Sequence, residues 1–141
     1  MPIFVDSPLI KVGFCVFQHK TTSFSITNIH DFCKDKGLEA GALKSEFQPT
    51  KICIIQVYRL PSGNLQFFVN GLESIIKKLY KLNLHFIICG DINVNYLIET
   101  DKKEQLNNML IFYNPFNWIY FTTRTQIKAS TEIDKIFFSN N

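Results

Sequence analysis

The sequence has 141 residues, a hydrophobic fraction of 46% and a formal net charge of +3. That length suits one domain with a real core, and the 14 phenylalanines argue against a disordered chain. The charge is compatible with a polyanionic partner without requiring one, and no apolar run approaches the ~18 residues of a membrane span. The opening residues, Met1-Pro2-Ile3-Phe4-Val5-Asp6, lack the basic region of a signal peptide. Cys15, Cys33, Cys53 and Cys89 show no Cys-x-x-Cys spacing. They read as buried free thiols without disulfide partners, and hence as an intracellular protein, nuclear or cytoplasmic.

In chain order, residues 1–11 carry Pro2 and Pro8 and read as irregular. Val12 to Gln18 reads as a strand rich in β-formers, and His19 to Ser23 as a polar loop. The stretch Ile26 to Lys36 mixes Phe32 and Cys33 with charges and has no clear period. Leu38 to Phe47 alternates roughly and reads as a strand, followed by a turn at Pro49-Thr50. Lys51 to Tyr58 is a strand, central by its run of apolar residues, and Pro61-Ser62-Gly63-Asn64 breaks it.

Leu65 to Lys81 is the best helix. Leu65, Phe68, Val69, Leu72, Ile75, Ile76 and Leu79 form one apolar stripe, with Asn64 as N-cap. Lys77, Lys78 and Lys81 cluster at its C-terminal end, where the macrodipole prefers cations. They are candidates for phosphate contact, although a solvated helix end is the commoner role. Asn83 stops the helix. Strand, helix and strand then predict two parallel strands in one sheet.

The second of these strands ends in Leu84-His85-Phe86-Ile87-Ile88-Cys89-Gly90-Asp91-Ile92-Asn93. Phe86 to Cys89 is apolar throughout, as in a strand buried on both faces. Gly90 permits a turn or a close backbone approach. Read as extended chain, Asp91 and Asn93 share one side; read as an Asx-turn, they merely cap the strand. A second helix is expected from about Lys102 to Tyr113. Leu106, Met109, Leu110 and Tyr113 form its apolar face, Met109 as core filler, and Asp101 with Glu104 resembles a capping box. Asn114-Pro115 ends it. Phe116 to Thr122 reads as an aromatic strand, and Trp118 packs in a sheet or stacks on bases. Thr122 to Thr131 reads as a loop containing Arg124, and Glu132 to Phe138 as a last strand carrying Asp134. A carboxylate in an apolar strand needs a partner. His19, His30 and His85 show no ligand spacing.

The order Tyr58-Arg59-x-Pro61-Ser62-Gly63-Asn64, amphipathic helix, Gly90-Asp91-x-Asn93, Thr-Arg, then Glu-Ile-Asp-Lys-Ile-Phe around Asp134 resembles the endonuclease/exonuclease/phosphatase superfamily. Within that superfamily it is similar to the apurinic-type endonuclease domain of non-LTR retrotransposons, elements that also carry an RNA-directed DNA polymerase. The resemblance covers about Val12 to Phe138. Ile92 stands where the family most often has Phe. The resemblance implies an α/β fold, a two-sheet sandwich with helices on both outer faces, and metal-dependent phosphodiester hydrolysis of DNA with Mg2+ or Mn2+. It implies that Asp91 holds and activates water, that Asn93 orients Asp91 and the phosphate, and that Tyr58 donates to a phosphate oxygen. Asp134 would hold a histidine imidazole, and Asn64 and Arg124 would contact substrate. These residue types suit the chemistry, because water needs a base or a metal, and charge on phosphorus needs donors.

Two departures qualify the resemblance. The family's metal-binding Glu, on an early strand with an Asn before it, has no match ahead of Val12. No histidine follows Asp134, so the Ser-Asp-His ending is also unmatched. Residues 1–141 therefore read as a single incomplete domain, inactive as it stands, with Asp91 as its one metal-ligand candidate. The competing readings are an active nuclease using Glu39, Glu99 or His85 as replacements, a non-enzymatic nucleic-acid-binding or interaction module that keeps the fold, and an unrelated α/β domain. An absent early strand would leave a sheet edge open to self-association.

Overall fold

The structure is a computed structural model describing residues 2–5, 14–17, 23–33, 37–45, 51–80, 82, 84–113, 116–118, 124–126, 129–131 and 134–139; side-chain surroundings are described for 23–33, 37–45, 51–80, 82, 84–113, 136 and 137. The elements are β1 (Pro2–Val5), β2 (Phe14–Phe17), β3 (Phe24–Thr27), a short 3-10 turn (His30–Phe32), β4 (Glu39–Ser45), β5 (Ile52–Tyr58), α1 (Leu65–Tyr80), β6 (His85–Asp91), α2 (Asp101–Phe112), β7 (Phe116–Trp118), β8 (Arg124–Gln126), β9 (Ala129–Thr131) and β10 (Asp134–Ser139). Six strands form one sheet in the order β3-β4-β5-β6-β10-β7, while β1-β2 and β8-β9 are antiparallel ribbons.

The two apolar runs lie side by side at the centre. β5 and β6 are parallel, with Ile52 opposite His85 and Tyr58 opposite Asp91, and α1 connects them. All other pairings within the sheet are antiparallel. Ala40, Ala42, Cys53, Ile55, Val57, Phe86, Ile88 and Phe137 face the helical layer and belong to one core cluster. From α1 this cluster takes Phe68, Val69, Leu72, Ile75, Ile76 and Leu79, and from α2 Leu106, Met109 and Leu110. The period-two burial along β5 marks the second face: Cys53, Ile55 and Val57 are buried while Ile52, Ile54, Gln56 and Tyr58 are half-buried. The helices of the core cluster thus cover one face of the central sheet, and the fold is α/β and an incomplete sandwich. No helix among the described residues is long and apolar enough to cross a membrane.

Several local expectations change. Residues 2–5 pair with β2 despite Pro2, which stands first in its strand, where its missing N–H is tolerated. Residues 124–126 and 129–131 form a ribbon instead of a loop. The cap of α2 is Thr100, whose Oγ1 accepts from Lys103 N at 3.2 Å; Asp101 sits inside the first turn, where its charge suits the macrodipole. The expected turn at 49–50, the helix stops at Asn83 and 114–115, the loop at 19–22, and the side chains of Cys15 and Trp118 lie outside the described residues. The helix-end lysines are occupied locally: Lys77 pairs with Glu73 at 3.1 Å, and Lys78 donates to Asn28 O at 2.9 Å. Lys81 lies outside the described residues.

Cys33 and Cys53 are buried and Cys89 half-buried, all as free thiols. Burial pushes the Cys53 thiol from 9.0 up to about 12, with the Lys44 charge opposing. The unfolded chain therefore loses this proton first, so the group's contribution to folding is intact below about pH 9 and declines as pH rises toward 12. In the native protein at pH 8, Cys53 should resist iodoacetamide and should react only after urea unfolding, read by peptide mass. Equal labelling rates in both states would contradict this.

Candidate active site

The parallel strands β5 and β6 end at the same level. Tyr58 closes β5, Asp91 closes β6, and the two are register partners. On one side, β10 begins with Asp134 opposite Asp91. On the other, β4 begins with Glu39 opposite Tyr58. One transverse row therefore crosses four adjacent strands: Glu39, Tyr58, Asp91, Asp134. Directly paired residues share a face of the sheet. Tyr58 and Asp91 belong to the half-buried face away from the helices, at the C-terminal ends of the parallel pair, where α/β sheets open their clefts. Asp134 is placed in the row by its backbone; its side chain is outside the described residues.

Beyond this row the chain is fastened by Arg59, a residue the sequence motif contains but to which sequence reasoning assigns no role. It is 2% exposed. Its Nε donates to Ile92 O, Nη1 to Gly63 O and Nη2 to Asn93 O, each at 2.7 Å. Its backbone N–H donates to Asp91 O at 2.9 Å and extends the β5-β6 ladder by one bond. One guanidinium thus ties the turn before α1 to the segment after Asp91. Burial lowers its pKa and the nearby Asp91 charge opposes this; an arginine stays protonated regardless. The only sequence signal was a charged residue placed between Tyr58 and Leu60 at the end of an apolar run.

Gly90 and Asn93 set the shape of the strand end. Gly90 has φ +139, and a Cβ there would lie 1.9 Å from Val57 O. Asn93 has φ 50, in the left-handed region, so the reading of Asp91 and Asn93 on one side of an extended segment is corrected. Asp91 Oδ1 accepts from Asn93 N at 3.0 Å, an Asx-turn, which turns the chain as soon as β6 ends. The Asn93 carboxamide folds back, with Nδ2 donating to Arg59 O at 2.6 Å. Asn64 is the cap of α1: its Oδ1 accepts from Phe67 N at 3.2 Å. Arg124 lies in β8 opposite Thr131, with its side chain outside the described residues.

Three residues were alternatives for the unmatched Glu and His, and they separate sharply. Glu99 pairs with Lys103 at 2.5 Å beside α2. His85 opens β6, six residues from Asp91, which at ~3.3 Å per residue is roughly 20 Å along the strand. Glu39 is in the row itself. It is 7% exposed, and its Oε2 is buried without a hydrogen-bond partner. Among the described residues no three His, Cys, Asp or Glu side chains group closely enough to hold a metal ion. A hard divalent cation needs less from protein, since Mg2+ commonly takes one or two carboxylates and completes its shell with water and phosphate. Asp91, half-buried where β6 ends, can serve as one such carboxylate.

No protein-family model and no curated protein matches the sequence. Solved structures do match its fold. The endonuclease domain of TRAS1, a telomere-specific non-LTR retrotransposon, superposes with a TM-score of 0.75 at 12% identity, over 98% of this chain and 67% of that one. The human Nocturnin catalytic domain with bound sulfate gives 0.58 at 15% identity, over 99% and 60%. A Staphylococcus aureus beta toxin mutant with bound magnesium ions gives 0.51 at 15% identity, over 74% and 42%. This chain therefore spans between 42% and 67% of these three proteins. At such identities the likeness shows the fold: the chain has the endonuclease/exonuclease/phosphatase fold, over part of a domain.

Proposed function

We propose that this chain is a nuclease-type domain of retrotransposon origin whose transverse row receives a phosphodiester of DNA, and that the 141 residues by themselves do not turn it over. The observation that supports this reading is the register of Tyr58, Asp91 and Asp134 at one end of the sheet, on a fold shared with the TRAS1 endonuclease domain. In this reading Asp91 holds and deprotonates the attacking water. The Asx-turn through Asn93 and the Arg59 clamp keep that carboxylate in place, and Tyr58 O–H donates to a phosphate oxygen. A divalent cation, Mg2+ or Mn2+, would supply charge neutralisation at phosphorus when bound, with Asp91 as a ligand.

Turnover should fail for want of an imidazole. Among the described residues, His85 is at the far end of β6 from Asp91 and so cannot pair with the row. A missing transition-state donor typically costs on the order of 10²–10³ in rate. Fluorescence anisotropy with a short DNA duplex should give weak binding that falls steeply with salt, because phosphate contacts release counterions. A plasmid-nicking assay with Mg2+ or Mn2+ should give no product. Absence of DNA binding at low ionic strength would remove the nucleic-acid reading. Metal-dependent nicking that vanishes in Asp91→Ala would overturn the inactivity.

A further inference from the structure

We infer that the cleft between α1 and residues 31–38 binds an unpaired nucleobase of a single strand, guanine best. This goes beyond the transverse row and rests on reading the chain as a nucleic-acid-binding domain. The cleft has a volume of about 310 Å³, at the small end of ligand sites, which run from roughly 300 Å³ upward. Phe67, Asn70 and Gly71 form its helix wall, and Asp31, Phe32 and Leu38 face them. Gly71 sets how closely the two walls approach: a Cβ there would lie 2.9 Å from Leu38 Cδ2 and 3.3 Å from Phe32 O.

Phe67 is the anomaly that the fold does not use. The buried position beside it is filled by Phe68, while the Phe67 residue is 64% exposed. An exposed ring in the wall of a cleft is a stacking platform, and stacking suits the flat face of any base. The polar groups select among guests. Asp31 is exposed and has no ion pair among the described residues. Asn70 Oδ1 accepts from Gln66 Nε2 at 2.7 Å, which leaves Nδ2 to donate. One wall thus offers an acceptor and the other a donor. Guanine carries the matching edges: N1–H and the N2 amino group donate to one carboxylate, while O6 and N7 accept. An arginine side chain would also suit Asp31. However, Lys78 Nζ already stands 5.4 Å from the centroid of the Phe32 ring, and a second cation beside it is repelled. The same ammonium suits the phosphate that accompanies a base. It spends one donor on Asn28 O and keeps two.

The cleft lies at the same end of the sheet as the row. Leu38 directly precedes Glu39, the register partner of Tyr58. Side chains alternate, so Leu38 enters the helical layer while Glu39 takes the face of the row. Phe67 is in the first turn of α1, just after the turn that Arg59 holds at Gly63. A single strand leaving the row around this end of the sheet meets the cleft.

The test is fluorescence anisotropy at low salt with two labelled DNAs: a blunt duplex, and the same duplex with a short single-stranded tail containing guanine. The wild-type chain should bind the tailed DNA about tenfold more tightly. Phe67→Ala should lose that increment and keep the wild-type melting temperature, because the ring is mostly exposed. Asp31→Asn should bind guanine and adenine tails alike. Phe112→Ala, which removes a still more exposed ring on α2, should bind as wild type does. Equal affinity of the wild-type chain for both DNAs, or an unchanged increment in Phe67→Ala, would overturn the inference. So would displacement of the tail by acetyl-arginine amide, which would mark the cleft as a peptide site. A tail held through Phe67 by a chain that does not bind the blunt duplex would support the cleft and overturn the reading of the row.

Discussion

Arg59→Ala should lower the stability of the folded chain by roughly 3–5 kcal/mol. The side chain is buried and makes three charge-assisted hydrogen bonds to the carbonyls of Ile92, Gly63 and Asn93. Truncation leaves those acceptors facing a cavity that excludes much of the water they would need. Arg59→Lys should recover little, because one ammonium on a flexible stem cannot fan out to three carbonyls as a planar guanidinium does. Urea unfolding at constant m-value would measure both. The functional effect should follow the structural one. The same guanidinium fixes the segment after Asp91, so DNA binding should fall in both variants even under conditions where they remain folded. An Arg59→Lys variant with wild-type stability would show that the three-way geometry does not matter.

Gly90→Ala should be comparably severe for a different reason. At φ +139 an L side chain is strained, at a cost of about 1–3 kcal/mol. The new Cβ would also lie 1.9 Å from Val57 O, a backbone atom of the neighbouring central strand that cannot rotate away. Relief requires β5 and β6 to separate where Tyr58 and Asp91 sit. A total loss of about 4 kcal/mol or more is expected, with the variant largely insoluble or unfolded at 37 °C. A soluble variant whose far-UV CD and melting temperature match wild type would refute this.

What could be read from the sequence was whatever repeats within a short window. The apolar runs within Lys51 to Tyr58 and Phe86 to Cys89 mark the two central strands, each buried on one face and half-buried on the other, and the Leu65 to Leu79 stripe marks α1, because burial itself imposes these periods. The pairing of residues 2–5 with β2, and of residues 124–126 with 129–131, escaped notice, since short strands take their stability from a partner that the local sequence does not reveal. Asn93 was misread as extended because the alternation of β6 was carried two residues too far; the Asp91 carboxylate accepts the Asn93 N–H and ends the strand. The cap of α2 went to Thr100 instead of Asp101, a one-residue choice between two good capping types. Arg59 and Glu39 were the hardest. One buried charge has three partners and the other has an unpaired oxygen, and both facts depend on strands that meet only in the folded sheet.

The order of the sheet also divides the site by chain distance. Glu39, Tyr58 and Asp91 belong to β4, β5 and β6, which follow one another directly with α1 between the last two. Asp134 joins them from β10, after α2, β7 and the β8-β9 ribbon have intervened. Closing that long loop costs more chain entropy than closing the short connections of β4 to β6. The β4-β6 unit, with its Arg59 clamp, can therefore persist while β10 opens as a separate cooperative segment. Amide protons of β10 should then exchange before those of β5 and β6, and each opening removes Asp134 from the row without disturbing Tyr58 or Asp91.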